Sequence, residues 1–264
     1  MYARPSAPRS IGGVLDDAIS LYRQSFPSIW PLTFIAALLV AVPGVFLRLQ
    51  ALRLNDFGPQ AVLAMMDSPD FWLTYVVLVL AYMVVYGSVI SALDGFAEHG
   101  RALWSESLGA GVKLVPQMLG LALALGAILV VGLMLLVVPG IYLWGIYQLA
   151  FVVLVVERRG ISDAFGSSRR LIKGYWWRST TIITIAVIIV LVFSVLVAVA
   201  SGFAAVILGV NSPGAAVVQT LLSAGLNAVL FSLLPCFARA MYYDLRLRHE
   251  GGDLATRVAA LAPR

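Results

Sequence analysis

The sequence predicts an all-α integral membrane protein with six transmembrane helices, arranged as three hairpins that each follow a cytoplasmic interfacial amphipathic helix. Its 264 residues are 61% hydrophobic and only 12% charged. Soluble domains carry about 25% charged residues, so this chain lacks the charge to cover itself with a polar surface. The apolar excess must therefore face a bilayer. Long uncharged stretches and a weak threefold repeat are the other two observations that predict this fold.

Four uncharged stretches define the spans, at residues 24–47, 71–93, 114–156 and 179–238. A helix that crosses the hydrocarbon needs about 20 apolar residues, so the first two stretches hold one span each and the last two hold two each. The predicted spans are residues 29–47, 71–93, 116–138, 141–156, 181–208 and 215–238. Polar residues precede the first span and no small-residue cleavage motif follows it, so we expect a retained span rather than a secretory signal.

The basic residues predict the topology. All but two of the 18 Lys and Arg lie on one side of the spans, and the exceptions are Arg48 and Arg53. The positive-inside rule places this basic side, with both termini, in the cytoplasm. We predict a cytoplasmic N-terminal segment 1–27 with an amphipathic helix, a six-helix membrane domain 28–240 and a cytoplasmic tail 241–264. The positive charge then indicates contact with anionic lipid headgroups rather than with nucleic acid.

Repeated motifs predict the hairpins. Pro-Gly pairs at residues 43–44, 139–140 and 213–214 fall near the outer ends of the odd-numbered spans, where such pairs predict tight turns. An amphipathic stretch precedes each odd span on the basic side. We expect these stretches to lie in the headgroup layer, the alternative being ordinary helices packed on the bundle. The third stretch carries the residues of a predicted interfacial basic helix: Arg169, Arg170, Lys173 and Arg178.

Two segments carry a family resemblance. Residues 139–178 read PGIYLWGIYQLAFVVLVVERRGISDAFGSSRRLIKGYWWR, and residues 238–251 read ARAMYYDLRLRHEG. With the Pro-Gly-Ile-Tyr motif, Glu157 and the Tyr-Tyr-Asp-Leu-Arg block, they resemble bacterial membrane proteins related to the glycerophosphoryl diester phosphodiesterase membrane domain and the YciC-like inner-membrane proteins. The resemblance implies a six-span helical protein of the bacterial inner membrane. Phosphodiesterase-linked members carry a separate soluble catalytic domain, for which we expect no room here, so that activity does not transfer.

The predicted spans contain no charged residue, although intramembrane function usually depends on one. Gln148 and Asn227 are the candidates for lining a polar cavity, and the alternative is hydrogen bonding between helices. His99 and His249 are the only two histidines and lie far apart, so we predict no metal site and no cofactor. No nucleophile has a base within a span, so we predict that the protein is not an enzyme.

Charged residues are predicted to gather at the inner membrane edge. We expect Glu157 to meet residues 244–248 there, with at least one contact between an acid and an arginine. Asp244 and Arg248 have the i, i+4 spacing of a helical ion pair. The cluster either docks headgroups or a partner, or only fixes the ends of spans four and six. Its members are Glu157, Arg158, Arg159, Arg239, Asp244, Arg246 and Arg248.

These observations favour a non-catalytic multi-pass membrane protein that supports envelope or lipid organisation, or acts as a subunit beside an unidentified protein partner. The alternative is a small transporter or permease with a weakly polar cavity at mid-membrane. That function needs substrate or ion ligands within the spans, where Gln148, Asn227 and hydroxyl groups are available.

Overall fold

The structure is a computed structural model that describes residues 5–54, 63, 66–67, 69–102, 104–135, 137–208 and 213–261. Over these residues it is all-α, without a strand. The helices are α1 (Ile11–Leu54), α2 (Pro69–His99), α3 (Trp104–Leu135), α4 (Val137–Tyr147), α5 (Ala150–Glu157), α6 (Ile161–Ile172), α7 (Trp176–Leu208), α8 (Pro213–Phe231) and α9 (Leu233–Leu261).

Six segments of the described chain are long and apolar enough to cross a membrane, which confirms the predicted fold class. They are Ile11–Val42, Phe71–His99, Trp104–Met134, Val137–Glu157, Trp176–Ala204 and Val217–His249. The helices of consecutive spans pack on each other, α1 on α2, α2 on α3, α3 on α4, and α7 on α8. The predicted boundaries at 27/28 and 240/241 coincide with no break, because α1 and α9 run through them.

The amphipathic stretches differ from one another. The first two are the beginnings of α1 and α3, and only the third forms a separate helix, α6. The chain leaves α6 through Gly174, whose φ of +85° is a conformation that glycine adopts easily. Ala164, Leu171 and Ile172 of α6 are buried against the core. Its apolar face therefore packs on the bundle, and a position in the headgroup layer stays a prediction.

The Pro-Gly pairs do not form the predicted turns. Residues 43–44 lie inside α1, residues 139–140 lie in the first turn of α4, and Pro213 begins α8. The amides in the first turn of a helix have no carbonyl partner within the helix, so a proline there sacrifices no hydrogen bond. Two of the three pairs therefore begin a helix rather than connect two.

Spans four and six are each interrupted. Pro235 explains the break between α8 and α9, because its ring would clash with the carbonyl of Phe231, four residues earlier. At the break between α4 and α5, the Ser168 hydroxyl of α6 donates to the Ile146 carbonyl at 2.8 Å. A side-chain group that captures a helix carbonyl in this way interrupts the backbone ladder.

The buried side chains concentrate in the half of the bundle nearest the basic side. α5 and α9 lie at its centre, where Leu154, Phe237 and Tyr242 are almost fully buried. α5 packs against α2, α3, α6 and α9. In the other half, α3, α4 and α7 expose large apolar side chains such as Met134, Val138 and Ile207. Such exposure suits helices that face hydrocarbon.

Glycine allows α2 and α3 to approach closely. A Cβ at Gly111 of α3 would overlap the Val84 carbonyl oxygen and the Ser88 hydroxyl of α2. Small residues at helix contacts in membranes let backbones meet in this way.

Candidate functional site at the basic end of the bundle

Three carboxylates lie where spans reach the basic side: Asp94 in α2, Glu157 at the end of α5, and Asp244 in α9. The sequence predicted one cluster around Glu157 and Asp244. The contacts that the structure gives to each carboxylate are described in turn below.

Asp94 binds Arg239 and so joins spans two and six. The guanidinium donates from Nε to Asp94 Oδ1 at 2.7 Å, and Arg239 is only 3% exposed. The guanidinium also lies 5.5 Å from the Tyr242 ring centroid and 5.7 Å from that of Tyr243, within cation–π range. Sequence reasoning missed Asp94 as the partner of Arg239, although both lie on the basic side at the end of a span.

Glu157 joins three elements. Its carboxylate accepts hydrogen bonds from the Tyr242 hydroxyl of α9 at 3.1 Å and from the Ser167 hydroxyl of α6 at 3.3 Å. Arg159 Nε lies 3.8 Å away. Glu157 thus contacts α9 through the Tyr242 hydroxyl, two residues before Asp244, and it lines a cavity together with Arg246. The expected contact between Glu157 and an arginine of residues 244–248 stays a prediction.

Asp244 is 4% exposed and holds two arginines and a backbone amide. Arg248 Nε lies 2.9 Å from Oδ2, which is the i, i+4 pair that the spacing allows. Arg178 Nη2 lies 3.0 Å from Oδ2, and the backbone N–H of Arg9 donates to Oδ1 at 2.8 Å. Arg178 was predicted on the interfacial basic helix. Because the chain turns at Gly174, Arg178 lies in the next helix, α7, and turns toward the buried carboxylate.

The other predicted basic residues are more open. Arg169 and Arg170 of α6 are exposed, and so is Lys173, which directly follows the helix. Arg170 also donates to the Ser167 hydroxyl at 3.2 Å. Arg158 ends α5 with a φ of 51°, in the left-handed region.

Two cavities adjoin these charges, and Asp94 and Glu98 line both. The first, of about 330 Å³, is also lined by Arg101, Glu106 and Arg158. The second, of about 440 Å³, is also lined by Glu157, Arg159, Arg170, Arg246 and His249. Both linings mix acids with arginines. Among the described residues, no group of three or more His, Cys, Asp or Glu side chains is placed to hold a metal ion.

The two predicted cavity residues behave differently. Asn227 is exposed, and its Nδ2 donates to the Ser223 carbonyl one turn earlier at 2.8 Å, so it does not line an internal cavity. Such back-bonding satisfies a polar side chain on its own helix. Gln148 lies at the break in span four, and both of its amide atoms are buried without a hydrogen-bond partner in the described part of the chain.

No protein-family model matches the chain, and no solved structure matches it. The resemblance carried by residues 139–178 and 238–251 therefore stays a prediction. Composition and architecture together identify the chain as a multi-pass membrane protein.

Proposed function

We propose that this protein is a non-catalytic organiser of envelope lipid, which binds anionic headgroups through α6 at the basic side. In this proposal it resides in the bacterial inner membrane with both termini in the cytoplasm. The exposed basic face of α6 carries the argument.

Arg169, Arg170 and Lys173 are exposed while the opposite face of α6 is buried in the core, so their charges are held on a rigid support. Trp177, 79% exposed, marks the beginning of span five close by, and tryptophan is enriched where membrane meets water. Each cation near an anionic surface contributes about 1 kcal/mol to binding.

A non-catalytic role is supported by the partners of Asp94, Glu157 and Asp244. Arginines, hydroxyls and a backbone amide hold these carboxylates, and the contacts fix the ends of spans two, four and six. Ion pairs that are partly removed from water can fix the relative positions of the helices they join. A rigid basic end of this kind also suits a subunit that docks on a partner protein.

The test compares lipid retention by native mass spectrometry after purification with phosphatidylglycerol. We expect the triple variant R169A/R170A/K173A to lose most bound phosphatidylglycerol. The matched control R23A/R101A/K113A removes the same charge from other positions on the basic side and should keep it. Equal retention in both variants, or equal loss, would refute the proposal.

The broken fourth span favours a second candidate, a small permease. Discontinuous helices and unpartnered polar groups at mid-membrane are features of transporter sites, and Gln148 combines both. If the protein is a permease, Q148C should react with a membrane-impermeant maleimide. N227C, on the exposed surface of the helix bundle, should not react. The native Cys236 is fully buried and should stay unlabelled in both variants. Unreactive Q148C would argue against this candidate.

A further inference from the structure

A notch formed by Asp244, Arg178 and Arg248 holds the backbone of Arg9, just before α1 begins. The Arg9 N–H donates to Asp244 Oδ1 at 2.8 Å. The Arg9 carbonyl accepts from Arg178 Nη2 at 2.7 Å and also from Arg248 Nη2. Two guanidinium groups thus converge on one oxygen, beside a carboxylate that accepts from a donor on the same residue.

This arrangement of two guanidinium donors and one carboxylate acceptor can bind groups other than a peptide. The backbone N and O of one residue lie about 3 Å apart, so the notch reads one donor and one acceptor at short separation. A phosphate oxygen is a stronger partner for guanidinium than a peptide carbonyl, because both the donor and the acceptor are then charged. Arg178 Nε is also buried without a hydrogen-bond partner in the described structure, so the notch has a donor that the carbonyl leaves unused.

We propose that the notch is a binding site for a phosphoethanolamine group, which the N-terminal segment occupies in this structure. The phosphate oxygens take the donors of Arg178 and Arg248, including the unused Nε–H. The ammonium donates to Asp244 in place of the Arg9 amide. A phosphocholine group has no N–H to donate to Asp244. A headgroup that lacks any hydrogen-bond donor would place the negative charge of its phosphate beside the Asp244 carboxylate.

The position of the notch suits a lipid headgroup. Arg178 is the third residue of α7, next to the exposed Trp177 at the beginning of span five. Asp244 and Arg248 lie near the basic end of the sixth span. The Arg248 guanidinium also contacts the Tyr175 ring, whose centroid is 5.6 Å from the guanidinium carbon.

Most of the N-terminal segment lies on the surface of the protein. Residues 6–10 are exposed and precede the helix, while Pro5 is buried. If the segment fills the notch about nine-tenths of the time, the apparent ligand affinity is lowered about tenfold, because only the open fraction binds. This inference goes beyond the proposed function, since it concerns other residues and a zwitterionic rather than an anionic headgroup.

The experiment measures binding of short-chain phosphatidylethanolamine and phosphatidylcholine to the purified protein by native mass spectrometry. A variant lacking residues 2–9 should bind phosphatidylethanolamine about tenfold more tightly than the full chain, with phosphatidylcholine unchanged. Adding D244N to it should abolish the preference between the two lipids. Soluble phosphoethanolamine is the other arm: binding as tight as the lipid's assigns the site to a free phosphoethanolamine compound, and weaker binding assigns it to the lipid.

Point variants of the full chain guard against misfolding of the shortened protein. R9P and R9A both lose the ion pair between Arg9 and Asp17, but only R9P also lacks the N–H that Asp244 accepts. R9P should therefore bind phosphatidylethanolamine more tightly than R9A. The proposal is overturned if both lipids bind equally to the open variants, or if neither truncation nor R9P changes the affinity. Phosphatidylglycerol retention by α6 is measured separately, so the two proposals fail independently.

Discussion

Arg239 donates to Asp94 across the basic end of the bundle, with 2.7 Å between Nε and Oδ1, and this contact joins span six to span two. Removing one partner of a buried ion pair leaves an uncompensated charge, at a cost of about 3–5 kcal/mol. We expect R239A to lower the unfolding free energy in detergent by about 3 kcal/mol. R159A removes an arginine that is 60% exposed and should change it by less than about 0.5 kcal/mol. Similar values for both variants would contradict a structural role for the pair.

The contact between α2 and α3 depends on Gly111. In G111A the new Cβ overlaps the Val84 carbonyl oxygen, so the helices must separate or shift. Overpacking of this kind costs about 1–3 kcal/mol, which thermal unfolding in detergent can detect. A Cβ at Gly126 of the same helix would meet no neighbouring atom within 4 Å, so G126A should unfold at or above the parental temperature. Parental stability of G111A would contradict the close approach.

Arg158 holds a left-handed conformation that glycine adopts without strain. The penalty for an L-residue there is about 1–2 kcal/mol. We expect R158G to unfold at a higher temperature than R158A, because both variants lose the guanidinium and only one releases the strain. The reverse order would show that this backbone conformation is not maintained.

The charge asymmetry predicts a topology with both termini and residues 158–178 in the cytoplasm, and Asn55 and Asn211 outside. Both asparagines lie outside the described residues. Reporter fusions at Asn211 and at the C-terminus should give opposite signals. Matching signals would exclude the six-span topology.

The fold was predictable because each span leaves a simple trace, an uncharged stretch of about 20 residues. The breaks in spans four and six were harder to predict. Pro235 marks the second one directly in the sequence, whereas the first involves Ser168, a residue in a different helix. Local sequence carries no record of a hydroxyl that approaches from elsewhere in the fold.

The candidate site was predictable in its location but, apart from the Asp244–Arg248 pair, not in its pairing. Asp94, Glu157 and Asp244 all end spans on the basic side, so the sequence places them at one level with several arginines. Which arginine each carboxylate meets depends on the rotation and order of the packed helices. Arg178 illustrates this, since the turn at Gly174 moves it from the predicted basic helix to the first turn of α7.

The concentration of buried side chains at one end of the bundle has a consequence for hydrophobic mismatch. When a bilayer is thinner or thicker than a helix, the helix tilts or the lipid deforms, at a fraction of a kcal/mol per Å. Here the sparsely packed halves of α3, α4 and α7 can absorb that tilt, while the ion pairs at the other end stay in register. We therefore expect this protein to keep its unfolding temperature nearly constant across vesicles of different acyl-chain length.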